Sequence, residues 1–402
     1  GSSDPAPEPQ RAGEVMVAAA QGEGARPVAP GDLASLHEVL QSWYARNRRD
    51  LPWRRSRDPY LVWVSEVMLQ QTTVKVATPY FEAFVRRFPS LQALAEEPED
   101  EVLAAWSGLG YYHRARNLHR GAQHVAERHG GRFPKTLEAA LAVPGVGLYS
   151  ASAILSIAYG QPLPVVDGNV RRVLSRLNAL AGPEYRREGP FYNLAEEILD
   201  RRQPGSWNQA LMELGATVCT PKKPACPACP VRDRCHALAQ GIVDQLPEGK
   251  ARRATVDVTV AAALVQRGDK ILLVKRPEGR LLGKMWEIPQ TPLDPAKDTI
   301  VQDRVLGRGS RPQAGSGPQE DVDLARELEE RYGLRIEPGP LVVRARHAIT
   351  HRRIRLEGYR ARLRSPLPSD PDRFRWATPE EIASLPVSSM TRKLLRGLDS
   401  PQ

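Results

Sequence analysis

The apolar positions of this chain follow a helical rhythm in its first half and an alternating one after residue 255. Leu33, Leu36, Leu40, Trp43 and Tyr44 share one face of a helix that begins near Asp32. Pro59 predicts a second helix start, with Asp58 as its cap, and the run that follows is apolar on nearly every side. Leu137, Leu141 and Ala142 form another apolar face, Val143-Pro144-Gly145-Val146-Gly147 breaks it, and small and apolar residues resume over 148–159. Two helices joined by so short a Gly-rich turn predict a helix-hairpin-helix. Val165-Val166-Asp167 then leads into a helix over 168–177, and helical patterning returns over 191–218. Beyond 255, Val256, Val258 and Val260 alternate, Gly268-Asp269 turns into a second strand, and strands are predicted at 341–349 and 354–362. Helices are predicted over 321–332 and from Pro379, where Thr378-Pro379-Glu380-Glu381 is a capping box.

These elements describe an α+β chain: an all-α domain over 31–241, a linker at 242–254 without apolar periodicity, and an α/β domain over 255–397. Residues 1–30, with five Pro and four Gly, read as a disordered tail, residues 1–3 as a cloning remnant, and 291–320 as a long loop. At 402 residues there is room for two cores. No apolar run approaches the ~20 residues of a membrane span, so no membrane association is expected. No signal-peptide pattern or internal repeat is evident. The net charge of +10 suggests a polyanionic partner.

The candidate chemistry lies mostly in the helical part. Glu66 sits in an apolar helix beside Val62, Trp63, Leu69 and Gln70, where a lone acid is costly unless paired or useful. It is either a buried acid satisfied by a cap or an Arg, or a carboxyl that desolvation keeps protonated. Asp167 stands at a helix start, where an Asp is ordinarily a cap. The same position can hold an anion whose pKa the helix terminus lowers. Two carboxyls pushed apart in pKa form the pair that glycoside cleavage uses. Gly145 and Gly147 let backbone N–H groups meet a phosphate oxygen. Tyr111 and Tyr112 follow the Gly108–Gly110 turn as a potential aromatic wedge, with Tyr112 equally readable as core, and Arg114 and Arg116 are expected to meet phosphates. Cys219, Cys226, Cys229 and Cys235, spaced C-x6-C-x2-C-x5-C, can bind zinc or an iron–sulfur cluster. Lys222, Lys223, Arg232 and Arg234 around them are expected to press on a nucleic-acid backbone.

The hairpin with its aspartate resembles the DNA glycosylase superfamily that includes endonuclease III, and Val143-Pro144-Gly145-Val146-Gly147-Leu148-Tyr149-Ser150-Ala151, Pro52-Trp53-Arg54 and 65–72 resemble the adenine DNA glycosylases within it. The resemblance implies an all-α glycosylase domain with a 4Fe-4S loop on the four cysteines. It implies that Glu66 protonates adenine, Asp167 stabilises the sugar cation, Tyr149 hydrogen-bonds at the sugar and the acid, and Asn169 orients the site. Trp53, Arg54, Leu69 and Gln209 match adenine-pocket positions. Gln71, Thr72, Leu109 and Tyr111 match positions that wedge into the duplex or touch the opposite base. Lyase-active relatives carry Lys where Tyr149 stands, so base removal without strand cleavage is implied. The expected partner is double-stranded DNA with an A·8-oxoguanine or A·G mispair, met by a monomer, in the cytoplasm and nucleoid of a bacterium or the nucleus and mitochondrion of a eukaryote.

The second domain resembles the Nudix fold. Arg326-Glu327-Leu328-Glu329-Glu330-Arg331-Tyr332-Gly333-Leu334 resembles the Nudix box, but Arg331, Pro318 and Pro312 stand where the box needs two Glu and a Gly, so loss of Mg²⁺ chemistry is expected. Residues 341–364 hold eight Arg and one acid, Glu357. At that hairpin's turn, Ile349-Thr350-His351 matches a family loop that recognises 8-oxoguanine, with Ile in place of Phe. Competing readings are a thymine or uracil mismatch glycosylase, a Nudix nucleotide hydrolase with a DNA-binding appendage, and a non-catalytic iron–sulfur DNA-binding protein.

Overall fold

A prolyl start and a buried apolar stripe establish the first helix, α1 (Pro30–Asn47), whose Leu36, Leu40, Trp43 and Tyr44 enter a core with Val170, Leu174, Trp207 and Leu211. The computed structural model describes residues 30–248, 255–276, 284–293, 324–349, 352–370 and 372–398. These fall into two units, 30–96 with 117–248, and 97–116 with 255–398. The expected tail, most of the 291–320 loop, Pro312, Pro318, Thr350 and His351 lie outside the described residues.

In the first unit, Asp58 caps α2 (Pro59–Leu69) by accepting from the Tyr60 N–H at 2.8 Å. The helix is buried on almost all sides, which is why its sequence shows little amphipathic contrast. Helices α3 (Val74–Arg87) and α4 (Leu91–Glu96) follow. Further on, α6 (His113–His129) continues into this unit, and the predicted hairpin consists of α7 (Leu137–Leu141) and α8 (Leu148–Tyr159). Asp167 caps α9 (Gly168–Leu177), α10 (Gly189–Glu197) and α11 (Pro204–Thr217) close the core, and the one-turn α12 (His236–Ala239) follows the cysteines. A Cβ on Gly121 of α6 would lie 2.7 Å from the Trp63 ring and 2.8 Å from the Pro144 carbonyl, so only glycine lets α6 sit this close to α2 and the hairpin. The segment read as a linker is partly structured: Val243 and Leu246 are buried with Ala237, and their carbonyls accept from the Arg176 guanidinium at 3.0 and 2.9 Å. The absence of periodicity there reflects a short 3-10 turn fixed by one buried Arg rather than by an apolar stripe.

In the second unit, β1 (Val256–Arg267) is central to a mixed sheet that also contains β2 (Lys270–Lys275), β3 (Trp286–Glu287), β4 (Gln290–Pro292), β5 (Ile336–Ile349), β6 (Arg352–Leu363) and β7 (Phe374–Ala377). The main strand order is β3-β2-β1-β6-β5, with β1 and β6 parallel and β5 and β6 an antiparallel hairpin. Strand alternation sends Val258, Val260, Ala262 and Leu264 to one side, under α14 (Pro379–Ser384) and α15 (Ser389–Leu398). Ala261, Ala263 and Val265 face the other, under α13 (Leu324–Tyr332). The Thr378 capping box forms as expected. α5 (Glu99–Ala105), within the range assigned by sequence to the helical domain, packs as part of this unit: Asp100 meets Lys275 at 3.1 Å, and the Val387 carbonyl accepts from Ser107 and Tyr112 at 3.1 and 3.3 Å. No helix among the described residues is long and apolar enough to cross a membrane.

One buried acid locks the first unit's entry turn to α11. Glu213, fully buried, accepts from the Arg49 N–H and guanidinium at 2.9, 2.8 and 2.7 Å and from Arg54 at 2.8 Å. Burial pushes its carboxyl up, but the hydrogen bonds from the two arginines win and hold it down at about 2. Glu213→Gln keeps the shape and removes the charge, and should cost about 3 kcal/mol in urea unfolding. Because the folded pKa is depressed, the stabilisation is full above the ordinary carboxylate value and is lost as pH falls toward 2. The Gln variant should lack that component of acid unfolding.

Candidate functional site

Helices α2, α8 and α9 bring Glu66, Tyr149 and Asp167 to one cleft of about 1170 Å³. Glu66 is 7% exposed, and the Tyr149 hydroxyl donates to its Oε2 at 2.6 Å. Burial raises the Glu66 carboxyl to about 7, opposed by that hydrogen bond and by Arg54 and reinforced by the charge of Asp167. Burial, followed by the charges of Glu66 and Asp167, also raises the Tyr149 phenol well above its ordinary value, so it stays a donor.

Asp167 is both cap and site residue: its Oδ1 accepts from the Val170 N–H at 2.7 Å and its Oδ2 from the Asn169 amide at 2.8 Å. The expected lowering of its pKa is not found. Burial raises it, outweighing the Val170 N–H, the Asn169 amide and Arg172. The helix N-terminus and the Asn169 amide supply charge-stabilising contacts, but the cleft removes most of the water around the carboxylate.

Arg172, a residue the sequence reading passed over, connects this carboxylate to the cysteine loop. Its guanidinium donates to Asn169 Oδ1 at 2.9 Å, to the Cys219 carbonyl at 2.7 Å and to the Gly215 carbonyl at 2.7 Å. A Cβ on Gly215 would stand 2.6 Å from that of Asn169, so α11 meets α9 at a glycine. No sequence signal marks Arg172, whose helical neighbours Gly168, Asn169, Ser175 and Arg176 lie off the apolar face of α9.

Trp53, Arg54, Leu69 and Gln209 line the same cleft. The Gln209 amide is held at both ends: its Oε1 accepts from the Tyr44 hydroxyl at 3.2 Å and its Nε2 donates to the Gly205 carbonyl at 3.1 Å. One lone pair and one N–H remain for a ligand. Arg54 lies over the Tyr44 ring at 5.6 Å while paired with Glu213. Glu213, four residues after Gln209, has Gln209, Ala210, Ala216 and Thr217 as helical neighbours, so it lacks the strongly apolar surround that marks Glu66 in sequence. At the rim, Gln71 is exposed with φ of 55°, Thr72 is half-buried, and Gly145 and Gly147 are exposed in the hairpin turn. Gly145 has φ of 79°, and a Cβ there would approach that of Asn117 to 2.5 Å, which excludes other residues twice over.

The four cysteines are free and half-buried. Burial raises the Cys229 thiol to about 11 against the Val231 N–H, and the charges of Cys219, Cys235 and Cys226 push it in the same direction. Arg176 reaches Cys219 Sγ at 3.4 Å, and the N–H groups of Leu238 and Ala237 face Cys235. Among the described residues no three His, Cys, Asp or Glu side chains stand close enough to hold a single metal ion. Lys222, Lys223 and Arg232 are exposed, but Arg234 is half-buried and donates to Ser35 at 2.9 Å.

In the second unit, several expected contacts are internal instead. Arg114 is buried, donates to the Leu109 and Gly110 carbonyls at 3.4 and 3.1 Å, and lies over the Trp106 and Tyr111 rings. It braces the turn in which Gly108, Gly110 and Tyr111 all have positive φ. Arg116 pairs with Glu99 at 3.5 Å. Leu109 is 6% exposed, so it is packed rather than displayed, and Tyr112 is core with its hydroxyl on Val387. Tyr111 remains half-buried. On α13, Glu327 is held by Arg331 at 3.6 Å and Glu330 by Arg326 at 3.9 Å, so arginines occupy acids that a Nudix box would offer to a cation.

Residues 64–188 match the family model of the HhH-GPD superfamily base excision DNA repair protein, and residues 260–397 match that of the NUDIX domain. The adenine DNA glycosylase of Homo sapiens is 36% identical over 423 residues, covering 91% of this chain and 74% of that protein. The adenine DNA glycosylase of Mus musculus is 34% identical over 424 residues, covering 91% and 78%. That of Buchnera aphidicola subsp. Acyrthosiphon pisum is 34% identical over 256 residues, covering 63% and 73%. With a helix-hairpin-helix unit, a Nudix-like unit and likeness to these enzymes along most of its length, the chain belongs to the adenine DNA glycosylase family of base excision repair.

Proposed function

We propose that this chain removes adenine mispaired with 8-oxoguanine or guanine in duplex DNA, by hydrolysis and without strand cleavage. The observation that carries the reading is the Glu66 carboxyl, raised to about 7 and hydrogen-bonded to Tyr149 in the cleft that also holds Asp167. An adenine flipped from the stack enters beside Trp53, Arg54 and Leu69, and the free lone pair and N–H of Gln209 suit its edge. Glu66 gives its proton to N7 of adenine, the C1′–N9 bond breaks, and the sugar acquires oxocarbenium character. Asp167, oriented by Asn169, faces that cation, whose charge in turn favours the carboxylate form. Water then adds to C1′ and passes its proton to a carboxylate, Asp167 or the deprotonated Glu66, which completes the abasic site. None of the described residues lining the cleft is Lys, which leaves no amine for a Schiff base.

Hairpin N–H groups at Gly145 and Gly147 would take a phosphate, while Gln71, Thr72, Leu109 and Tyr111 would meet the distorted duplex; Leu109 must leave its packed position to do so. Thr350 and His351 are assigned to the base opposite adenine. Cys219, Cys226, Cys229 and Cys235 would hold a 4Fe-4S cluster. The Arg176 guanidinium and the Val231, Ala237 and Leu238 N–H groups are the donors that a negatively charged thiolate–cluster assembly needs. When bound, the cluster cross-links the loop and carries none of the hydrolysis.

Single-turnover cleavage of A·8-oxoguanine, A·G, T·G and U·G duplexes, with and without alkali, tests the assignment. Adenine loss on the first two, with nicks only after alkali, is expected; preferential loss of thymine or uracil would overturn it. Glu66→Gln should slow excision by roughly 10²–10⁴-fold while leaving duplex affinity unchanged. The wild-type rate should fall as pH rises through about 7. The stability sign follows: a raised folded pKa gives a contribution that is full at low pH and lost as pH rises through about 7, so Glu66→Gln should melt above wild type at alkaline pH, by up to about 3 kcal/mol.

A further inference from the structure

We propose that the open face of the β5–β6 hairpin carries a phosphate-gripping row, Thr259–Arg355–Arg346, that docks the backbone of duplex DNA. The proposal rests on the DNA-acting reading above. Strand register places three rows side by side on this face. Asp257, Arg353 and Ala348 form one, Thr259, Arg355 and Arg346 the next, and Ala261, Glu357 and Arg344 the third. All four arginines are exposed, and the helix-covered core of this face begins at Ala261.

The outer rows are neutralised. Arg353 forks onto Asp257 at 2.8 and 2.9 Å, and Arg344 stands 3.5 Å from Glu357. The middle row is not: among the described residues neither Arg346 nor Arg355 has an acidic partner, though the two are direct cross-strand neighbours. Like charges directly opposed on a sheet are destabilising. The fold places an acid in each adjoining row and none in this one, where the Thr259 hydroxyl adds a further donor. Two guanidinium groups and a hydroxyl on an exposed sheet suit the oxygens of a backbone crossing it; a free nucleotide calls for a concave pocket. The row also lies about 10 Å along β5 from the end of the hairpin.

The test measures affinity of the full chain for labelled duplex across a KCl series. Arg346→Ala with Arg355→Ala should lower the log affinity–log salt slope by about 1 per arginine, by the same factor on mispaired and matched duplexes. The double Lys variant should keep the slope. Melting temperature should not fall, because a like-charge pair has been removed. An unchanged slope, a loss confined to the mispair, or a drop in melting temperature would overturn the proposal. Adenine excision by the wild type, measured alongside, separates the two readings: absent excision with normal salt-dependent binding would sink the activity and spare the surface.

Discussion

A carboxyl group buried at the wall of a cleft and tied at 2.6 Å to a phenol is the constraint from which the rest of the helical unit follows. Glu66 can be kept there only if α2 is buried on nearly every side and α8 delivers Tyr149 across from it. That close approach needs small residues at the contacts. Gly121 leaves room for the Trp63 ring and the Pro144 carbonyl, and Gly145 for Asn117, so the hairpin turn is fixed by the helices that define the cleft. The hairpin turn and the Glu66–Tyr149 pair thus share one scaffold, and a shift in either helix would disturb both.

Charge is arranged around this carboxyl with opposite effects. Asp167 raises Glu66 and Arg54 lowers it, while Arg54 is itself held by Glu213. Asp167 is oriented by Asn169, Asn169 by Arg172, and Arg172 by the carbonyl of the first cysteine. The cysteine loop therefore bears on the site through hydrogen bonds rather than through contact with it. A buried guanidinium is suited to that role, since its fixed fork cannot satisfy its donors if any one of the carbonyls moves.

The second unit keeps a Nudix-like sheet but uses it differently. Arg331 and Arg326 have turned the acids of α13 into ion pairs. The hairpin strands carry arginines on an open face, compensated in some rows and not in another. That face is open and only partly neutralised, whereas the acids of the helical unit are gathered in a cleft.

The succession of helices, the hairpin, the Asp58, Asp167 and Thr378 caps and the alternating strands were legible because each depends on residues a few positions apart. Glu66 was legible for the same reason, as an acid with apolar helical neighbours. The pKa of Asp167 was not, since its cap is local but the cleft that dehydrates it is assembled from distant helices. Nor were Arg172 and Glu213, whose partners lie up to 47 and 164 residues away, or the inward turn of Arg114, since a sequence does not show which side of a helix meets the interior when the residue is charged. Local order was thus set by the chain itself; which charges lose their water, and which neighbours then hold them, was decided by long-range packing.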